Sequence, residues 1–262
     1  MAKSPAAEPR RSFDGVAEIY HGIRPGYPAP MFEDLFQLLP RQPAILEVGP
    51  GTGQATRDLL SRGATVRAIE IGPAMAAKLR EALPSPALTI TVGDFEETDV
   101  GEHGFDAVFS ATAYHWISQK AQVDRPVSVL KPGGVIAIAD LNQVSSPDDR
   151  GFFAASQPIY ERYGEGHVGP RAPERDEVDP PIHRVLRGDS RFLNVEVRAY
   201  DWNQTYSAAG YRKLMLSYSS TQMMTPAARQ GLLDDMENFV RQQFGNQVTR
   251  PIVVTLTTAR VR

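Results

Sequence analysis

The sequence has no cysteine. That excludes disulfides, a thiolate nucleophile and cysteine-ligated zinc or iron–sulfur centres. It has little net charge: 28 Lys and Arg against 31 Asp and Glu leave −3, so the simplest electrostatic argument for a nucleic-acid or anionic-membrane partner is missing. No stretch approaches the roughly 18 apolar residues of a membrane span. MAKSPAAEPRR at the N-terminus lacks the apolar h-region of a signal peptide, so the expected compartment is the cytoplasm. Histidines 21, 103, 115, 167 and 183 have no pair at a spacing of three or four residues, and no metal site is predicted. No G-x-S-x-G elbow, paired-carboxylate motif or internal repeat is visible. What is present is ordinary globular composition: 42% hydrophobic and 23% charged over 262 residues. That is enough for one large α/β domain.

Residues 1–12 are small, polar and proline-containing, and are expected to be disordered. Phe13 to Tyr20 alternates like a short helix until GIRPGYP (22–28) breaks it. Met31 to Leu39 is apolar at helical spacing and stops at Pro40. A βα rhythm follows. The spacing predicts strands at 44–48, 64–70, 87–94, 105–111 and 133–140. It predicts helices from about Thr52, as cap, to Leu60, from Pro73 to Leu83 and from Gln119 to Leu130. Strands alternating with helices imply a parallel sheet, and apolar runs without alternation suit strands covered on both faces. Beyond Asp140 the rhythm changes. Asp149 to Tyr163 reads as a helix, 164–190 as a charged Gly/Pro-rich loop and Asn194 to Tyr206 as a strand. Ala208 to Ser219 and Pro226 to Phe244 read as helices, and 252–261 as the last strand.

The strongest signal is ILEVGPGTGQAT (45–56). A buried strand ends in Gly49, Gly51 and Gly53. Glycine permits positive φ and lets a ligand lie against bare backbone. A helix start beyond it presents free N–H groups. The dinucleotide fingerprint G-x-G-x-x-G is absent, because its third position falls on Gln54 or Thr56, and no Lys supplies a Walker loop. What remains is E-x-G-x-G-x-G.

That pattern resembles class I S-adenosylmethionine-dependent methyltransferases, and further motifs follow in order. Glu70 ends the second strand in VRAIEIG, 21 residues beyond Gly49; Asp94 and Phe95 follow the third in VGDFEE; LKPGG (130–134) precedes the fifth. The resemblance implies a Rossmann-like, seven-stranded, mostly parallel sheet with helices on both faces, its last strand antiparallel, and a partly helical cap from inserts around 145–190 and 206–245. Residues 13–262 are then a single methyltransferase domain: a lid over 13–40, a cofactor-binding core over 41–140, and cap and substrate-side elements over 145–245. The implied cofactor is S-adenosylmethionine, with S-adenosylhomocysteine as product. The implied cofactor contacts are Glu47, Gly49, Gly51, Gly53, Glu70 on the ribose, Ile71, Asp94 near the adenine, Phe95 against the purine, and Ser110. Glu47 is read either as a water-bridged contact to the cofactor's amino group or as one half of a salt bridge to the N-terminal segment.

FSATAYHWI (109–117), with its A-x-x-H-W arrangement, resembles the trans-aconitate methyltransferase-like branch, as does FDGVAEIYHGIRPGYP (13–28). In that branch the N-terminal segment folds over the cofactor. Tyr20 is thereby placed near the sulfonium and Arg24 on the cofactor's carboxylate, the alternative being that Arg24 pins the lid to an acid. His115 is read either as a base toward an acceptor hydroxyl or as a wall residue. Tyr114, His115, Trp116, Trp202, Tyr206, Tyr211 and Tyr218 are the candidate acceptor contacts, against the alternative that the later ones simply pack on the sheet. The expected activity is methyl transfer to a small molecule, at hydroxyl or carboxylate oxygen, by a monomer or homodimer with no nucleic-acid or membrane partner. A nicotinamide oxidoreductase on the same fold and a cofactor-binding protein without transfer are the alternatives.

Overall fold

The computed structural model describes residues 17–24, 26–164 and 172–262. The segment expected to be disordered, 1–12, lies outside them, as do the first residues of the lid. The chain divides into two compact units. The sheet unit comprises Gly26–Asn142, Asp179–Tyr200 and Val254–Arg262, and the helical unit Met1–Pro25, Gln143–Val178 and Asp201–Val253.

In the sheet unit, helix α2 (Ala29–Gln37) leads into β1 (Ala44–Val48), α3 (Gln54–Ser61), β2 (Thr65–Glu70), α4 (Pro73–Ala82), β3 (Leu88–Val92) and β4 (Phe105–Ala111). After a single 3₁₀ turn (Tyr114–Trp116) come α5 (Gln119–Val129) and β5 (Leu130–Gln143). Pro73 opens α4 where its missing N–H costs nothing. Ser118 caps α5, its hydroxyl accepting from the Ala121 N–H. Four of the five residues of β1 are buried, as are six consecutive residues of β5. A strand covered on one face only would alternate instead.

β1 pairs in parallel with β2 and β4, β2 with β3, and β4 with β5. The seven-stranded order is β3-β2-β1-β4-β5-β9-β6, where β6 is Phe192–Asp201 and β9 is Ile252–Val261. The Arg262 N–H reaches the Arg191 carbonyl at one end of the last pair, and the Trp202 N–H reaches the Ile252 carbonyl at the other. β9 therefore runs antiparallel to β6, as the resemblance implied. LKPGG is not a separate turn. It lies within β5 as an irregularity between the Phe105–Leu130 and Ala107–Val135 pairs, with Gly133 at φ 75°. The segment read as loop over 164–190 contains a helix, α7 (Pro181–Arg187), which buries Ile182 and Leu186.

The helical unit contains α1 (Ala17–Ile23), α6 (Phe152–Arg162), α8 (Ala208–Leu216), α9 (Ser219–Met223) and α10 (Pro226–Gln243). It also has a two-stranded antiparallel sheet of β7 (Gln204–Ser207) and β8 (Gln247–Arg250). The strand expected over 194–206 is thus two strands, β6 and β7, and β8 is an addition. The unit has its own core, including Phe152, Tyr206, Tyr211, Leu214, Leu232, Met236 and Val240. The Phe152 ring meets those of Tyr211 and Phe244 edge-on at 5.1 and 5.2 Å, the favoured geometry for aromatic pairs. No described helix is long and apolar enough to cross a membrane.

Candidate active site

Parallel pairing brings the carboxyl ends of the first four strands side by side. Gly49 follows β1 and donates its N–H to the Ile69 carbonyl at 2.9 Å; Gly93 follows β3 and donates to the Glu70 carbonyl at 2.9 Å. Ligands of open parallel sheets bind at this edge.

The glycine loop is built as its sequence requires. Gly49, Gly51 and Gly53 all have positive φ, at 66°, 58° and 96°, a region costly for residues with a Cβ. Packing adds a second reason at Gly49, where a Cβ would meet the Ala113 Cβ at 2.5 Å. Gly53, not Thr52, is the N-cap of α3, and it supplies no side-chain cap. The Thr52 hydroxyl is engaged with the Gln54 amide. The first N–H groups of α3 therefore have no side-chain acceptor at the cap, which leaves a polar, positively polarised helix end beside the loop.

Glu70 is the buttress of this loop. One carboxylate oxygen accepts from the Gly51 N–H and the other from the Gly72 N–H, both at 2.9 Å. Glu47, 1% exposed within β1, has an oxygen, Oε2, with no hydrogen-bond partner among the described residues, and the Thr56 Oγ1 on α3 is likewise buried and unpartnered. Burial pushes the Glu47 carboxyl up to about 8, and the Glu70 charge adds to this. A buried acid with one oxygen left without a partner, in the strand before a bare glycine loop, suits a polar guest carrying a donor group.

The other residues read from the sequence are placed as follows. Asp94 accepts from the Glu96 N–H with its side chain and forms a tight turn after β3. Phe95 is 3% exposed, tilted against Tyr114 and beneath the Arg125 guanidinium. Ser110 is fully buried and donates to the Val48 carbonyl at 2.8 Å, tying β4 to the strand before the loop. Ile71 is half-buried. Tyr114, expected on the acceptor side, is instead 1% exposed in the core, its hydroxyl donating to the Gln122 carbonyl. His115 is exposed and stacks obliquely on Trp116 at 4.9 Å. Between β4 and these residues stands Thr112 with φ 57°, an outlier for a β-branched residue. Its hydroxyl bonds that of Tyr27 at 3.1 Å. The sequence pattern does not single out Thr112, and it offers Tyr27 only as a residue packing on the first helix.

In the helical unit, Arg24 donates to the Ser217 hydroxyl and carbonyl at 2.9 and 3.1 Å and lies over the Tyr218 ring at 4.8 Å. Tyr218 accepts from Arg250, and the Tyr211 hydroxyl bonds that of Tyr160 at 3.1 Å. Tyr211 and Tyr206 are core residues of this unit, at 5% and 8% exposure. The half-buried Trp202 has its indole N–H buried without an acceptor among the described residues. The Tyr20 side chain lies outside the described residues. Among the described residues no group of three or more His, Cys, Asp or Glu is arranged to hold a metal ion.

Comparison with known proteins places this geometry in a class. Residues 46–138 match the family model of the methyltransferase domain. An uncharacterized methyltransferase of Mycobacterium tuberculosis is 33% identical over 127 residues, which cover 48% of this chain and 51% of that protein. Malonyl-[acyl-carrier protein] O-methyltransferase of Halorhodospira halophila is 31% identical over 191 residues, covering 69% and 63%. Phosphoethanolamine N-methyltransferase 2 of Haemonchus contortus, solved in complex with S-adenosyl-L-methionine, superposes with a TM-score of 0.54 at 17% identity, over 95% of this chain and 57% of that one, a likeness of fold. The chain spans about half the length of the first of these curated relatives. Residues 46–138 are thus similar to a methyltransferase domain, and the sheet that carries them has a Rossmann-like form.

Proposed function

We propose that the protein transfers a methyl group from S-adenosylmethionine to a small organic molecule, with oxygen, as hydroxyl or carboxylate, as the accepting atom. The observation that carries this reading is the loop itself. Three left-handed glycines, braced by Glu70, run into a helix without a side-chain cap, and a Glu47 carboxyl with one unpartnered oxygen lies in the strand before them. When bound, the cofactor would supply an electrophilic methyl carbon, open to in-line attack by an acceptor lone pair, with the neutral thioether S-adenosylhomocysteine as leaving group.

The chain's own residues do the holding. Glu70, which braces Gly51 and Gly72 at the end of β2, is assigned to the ribose hydroxyls. Gly49 and Gly51 present peptide without side chains, the Glu47 carboxyl faces a donor such as an amine or its bridging water, and Asp94 and Phe95 belong to the adenine end. Methyl transfer gains chiefly from holding donor and acceptor at near-attack distance, about 3 Å. His115, exposed after β4, takes the proton if the acceptor is a hydroxyl; a carboxylate acceptor has no proton to lose. Trp116, beside His115, is assigned to the acceptor.

Titration calorimetry against S-adenosylhomocysteine and, separately, NADH tests the donor. Binding of the former, weakened in Glu70→Ala by about 1.5–3 kcal/mol for a lost charged hydrogen bond, is the expected result. Binding of NADH alone would reverse the assignment in favour of an oxidoreductase.

A further inference from the structure

The helical unit contains a cation that its own protein leaves without an opposite charge. Arg250 closes β8 and is only partly exposed. Its Nη1 donates to the Tyr218 hydroxyl at 2.6 Å and its Nη2 to the Gln143 Oε1 at 2.7 Å. Both partners are neutral. Some arginines of this protein meet acids, as Arg162 meets Asp235, Arg175 meets Asp201 and Arg212 meets Asp234, and others bond backbone carbonyls, as Arg125 and Arg260 do. No carboxylate among the described residues does this for Arg250. Its remaining surroundings are phenols, those of Tyr160, Tyr206 and Tyr211. Burial holds Tyr206 and Tyr211 above their ordinary ionisation range, so they stay neutral at physiological pH.

The local balance of hydrogen bonding is also one-sided. A guanidinium carries five donors and no acceptor, and two directions of Arg250 are used. The Tyr218 hydroxyl accepts from Arg250, which leaves its own proton to be donated, and no acceptor for it is found among the described residues. A shielded guanidinium facing surplus donors is costly unless an acceptor with a negative charge completes it. One uncompensated charge with a flat, two-pronged edge matches a monoanion with two coplanar oxygens. The ring of Tyr206 and that of Tyr218 suit an apolar or aromatic body on the same molecule.

We propose that Arg250 and Tyr218 form a binding site for the carboxylate of a small organic acid with an apolar body. The carboxylate accepts from the unused N–H groups of Arg250 and from the Tyr218 hydroxyl. This is a statement about the helical unit alone, and it stands or falls separately from the reading of the glycine loop.

The test uses the full chain and matched probes: benzoate, phenylacetate and hexanoate, each against its amide, with phenyl phosphate and inorganic phosphate as the other anions. Binding is read by calorimetry and by the shift in melting temperature. At least one acid is expected to bind while its amide does not, and Arg250→Met to weaken that acid roughly thirtyfold or more, as truncating one side of a shielded charge pair does. Tyr218→Phe is expected to weaken it about three- to tenfold, the scale of one hydrogen bond. An unchanged circular-dichroism spectrum and ligand-free melting temperature serve as the control for folding. If Arg250→Met fails that control, Tyr218→Phe decides the matter. Acids binding no better than their amides, wild-type acid affinity in a folded variant, or a phosphate binding better than every carboxylate would each overturn the proposal.

Discussion

Glu47 shows how a single residue in a strand can record the site around it. The rest of β1 is apolar, and each neighbour on the strand is buried for the ordinary reason. A carboxyl group in that row is destabilising when ionised, and its pKa moves from 4.5 to about 8 mainly because water is excluded. The consequence for stability has a definite sign. The unfolded chain loses its proton near pH 4.5 and the folded one near 8, so between these values the unfolded state binds fewer protons and stability falls as pH rises. Below 4.5 the effect is absent; above 8 it is complete. Glu47→Gln should remove this slope and raise the unfolding free energy at pH 9 by on the order of a few kcal/mol, at about 1.4 kcal/mol per unit. Urea unfolding of both proteins from pH 5 to 9 measures it, and parallel curves would mean that Glu47 is not the titrating group. At this scale the sequence could place Glu47 and Glu70 because their positions are fixed by the motif. It could not place Arg24, whose partners Ser217 and Tyr218 are nearly two hundred residues away, nor single out Arg250, which no local pattern marks.

Elements reveal why some parts of the fold were legible and others were not. The strands of the βα rhythm are short apolar runs closed by turn residues, and α4 and α10 begin with Pro at the first helical positions. Both signals are local. Helix α7 was missed because it has two turns, sits among prolines and charges, and buries only Ile182 and Leu186, one contact stripe too short to show a period. β8 was missed because its four residues gain strand character from β7, some forty positions earlier. The start of α3 was read one residue early: Thr52 has the right chemistry for a cap, but Gly53 takes the left-handed conformation there. The loop before it also depends on a second loop, since Gly49 lies against Ala113. Gly49→Ala should therefore cost about 1–2 kcal/mol for the left-handed backbone and about 1–3 kcal/mol more for the clash. Adding Ala113→Gly should return the second part and not the first. Denaturant unfolding of the two single variants and the double variant gives the coupling; strict additivity would show that the two loops do not touch in solution.

At the level of the whole molecule, the proposed cofactor has a footprint that can be mapped without knowing the acceptor. The residues assigned to it lie on four connections that are distant in sequence: 49–54 after β1, 70–72 after β2, 93–95 after β3 and 110–116 after β4. They are adjacent only because β1, β2, β3 and β4 are parallel neighbours that all end at one edge of the sheet. A ligand bound only by the native arrangement stabilises it by mass action, about 2.7 kcal/mol at a hundred times its dissociation constant. Saturating S-adenosylhomocysteine should raise the melting temperature accordingly and slow amide hydrogen exchange at those four connections together. The Gly51 and Gly72 amides, already bonded to Glu70, are expected to gain protection in step, because opening either one frees the same carboxylate. In the helical unit, residues 204–218 and 247–250 should exchange at unchanged rates at their own most exposed amides when no acid is present. Stabilisation accompanied by protection at only one of the four connections would rule out a ligand lying across the strand ends, since no guest of that kind can order one loop there and leave its three neighbours as they were.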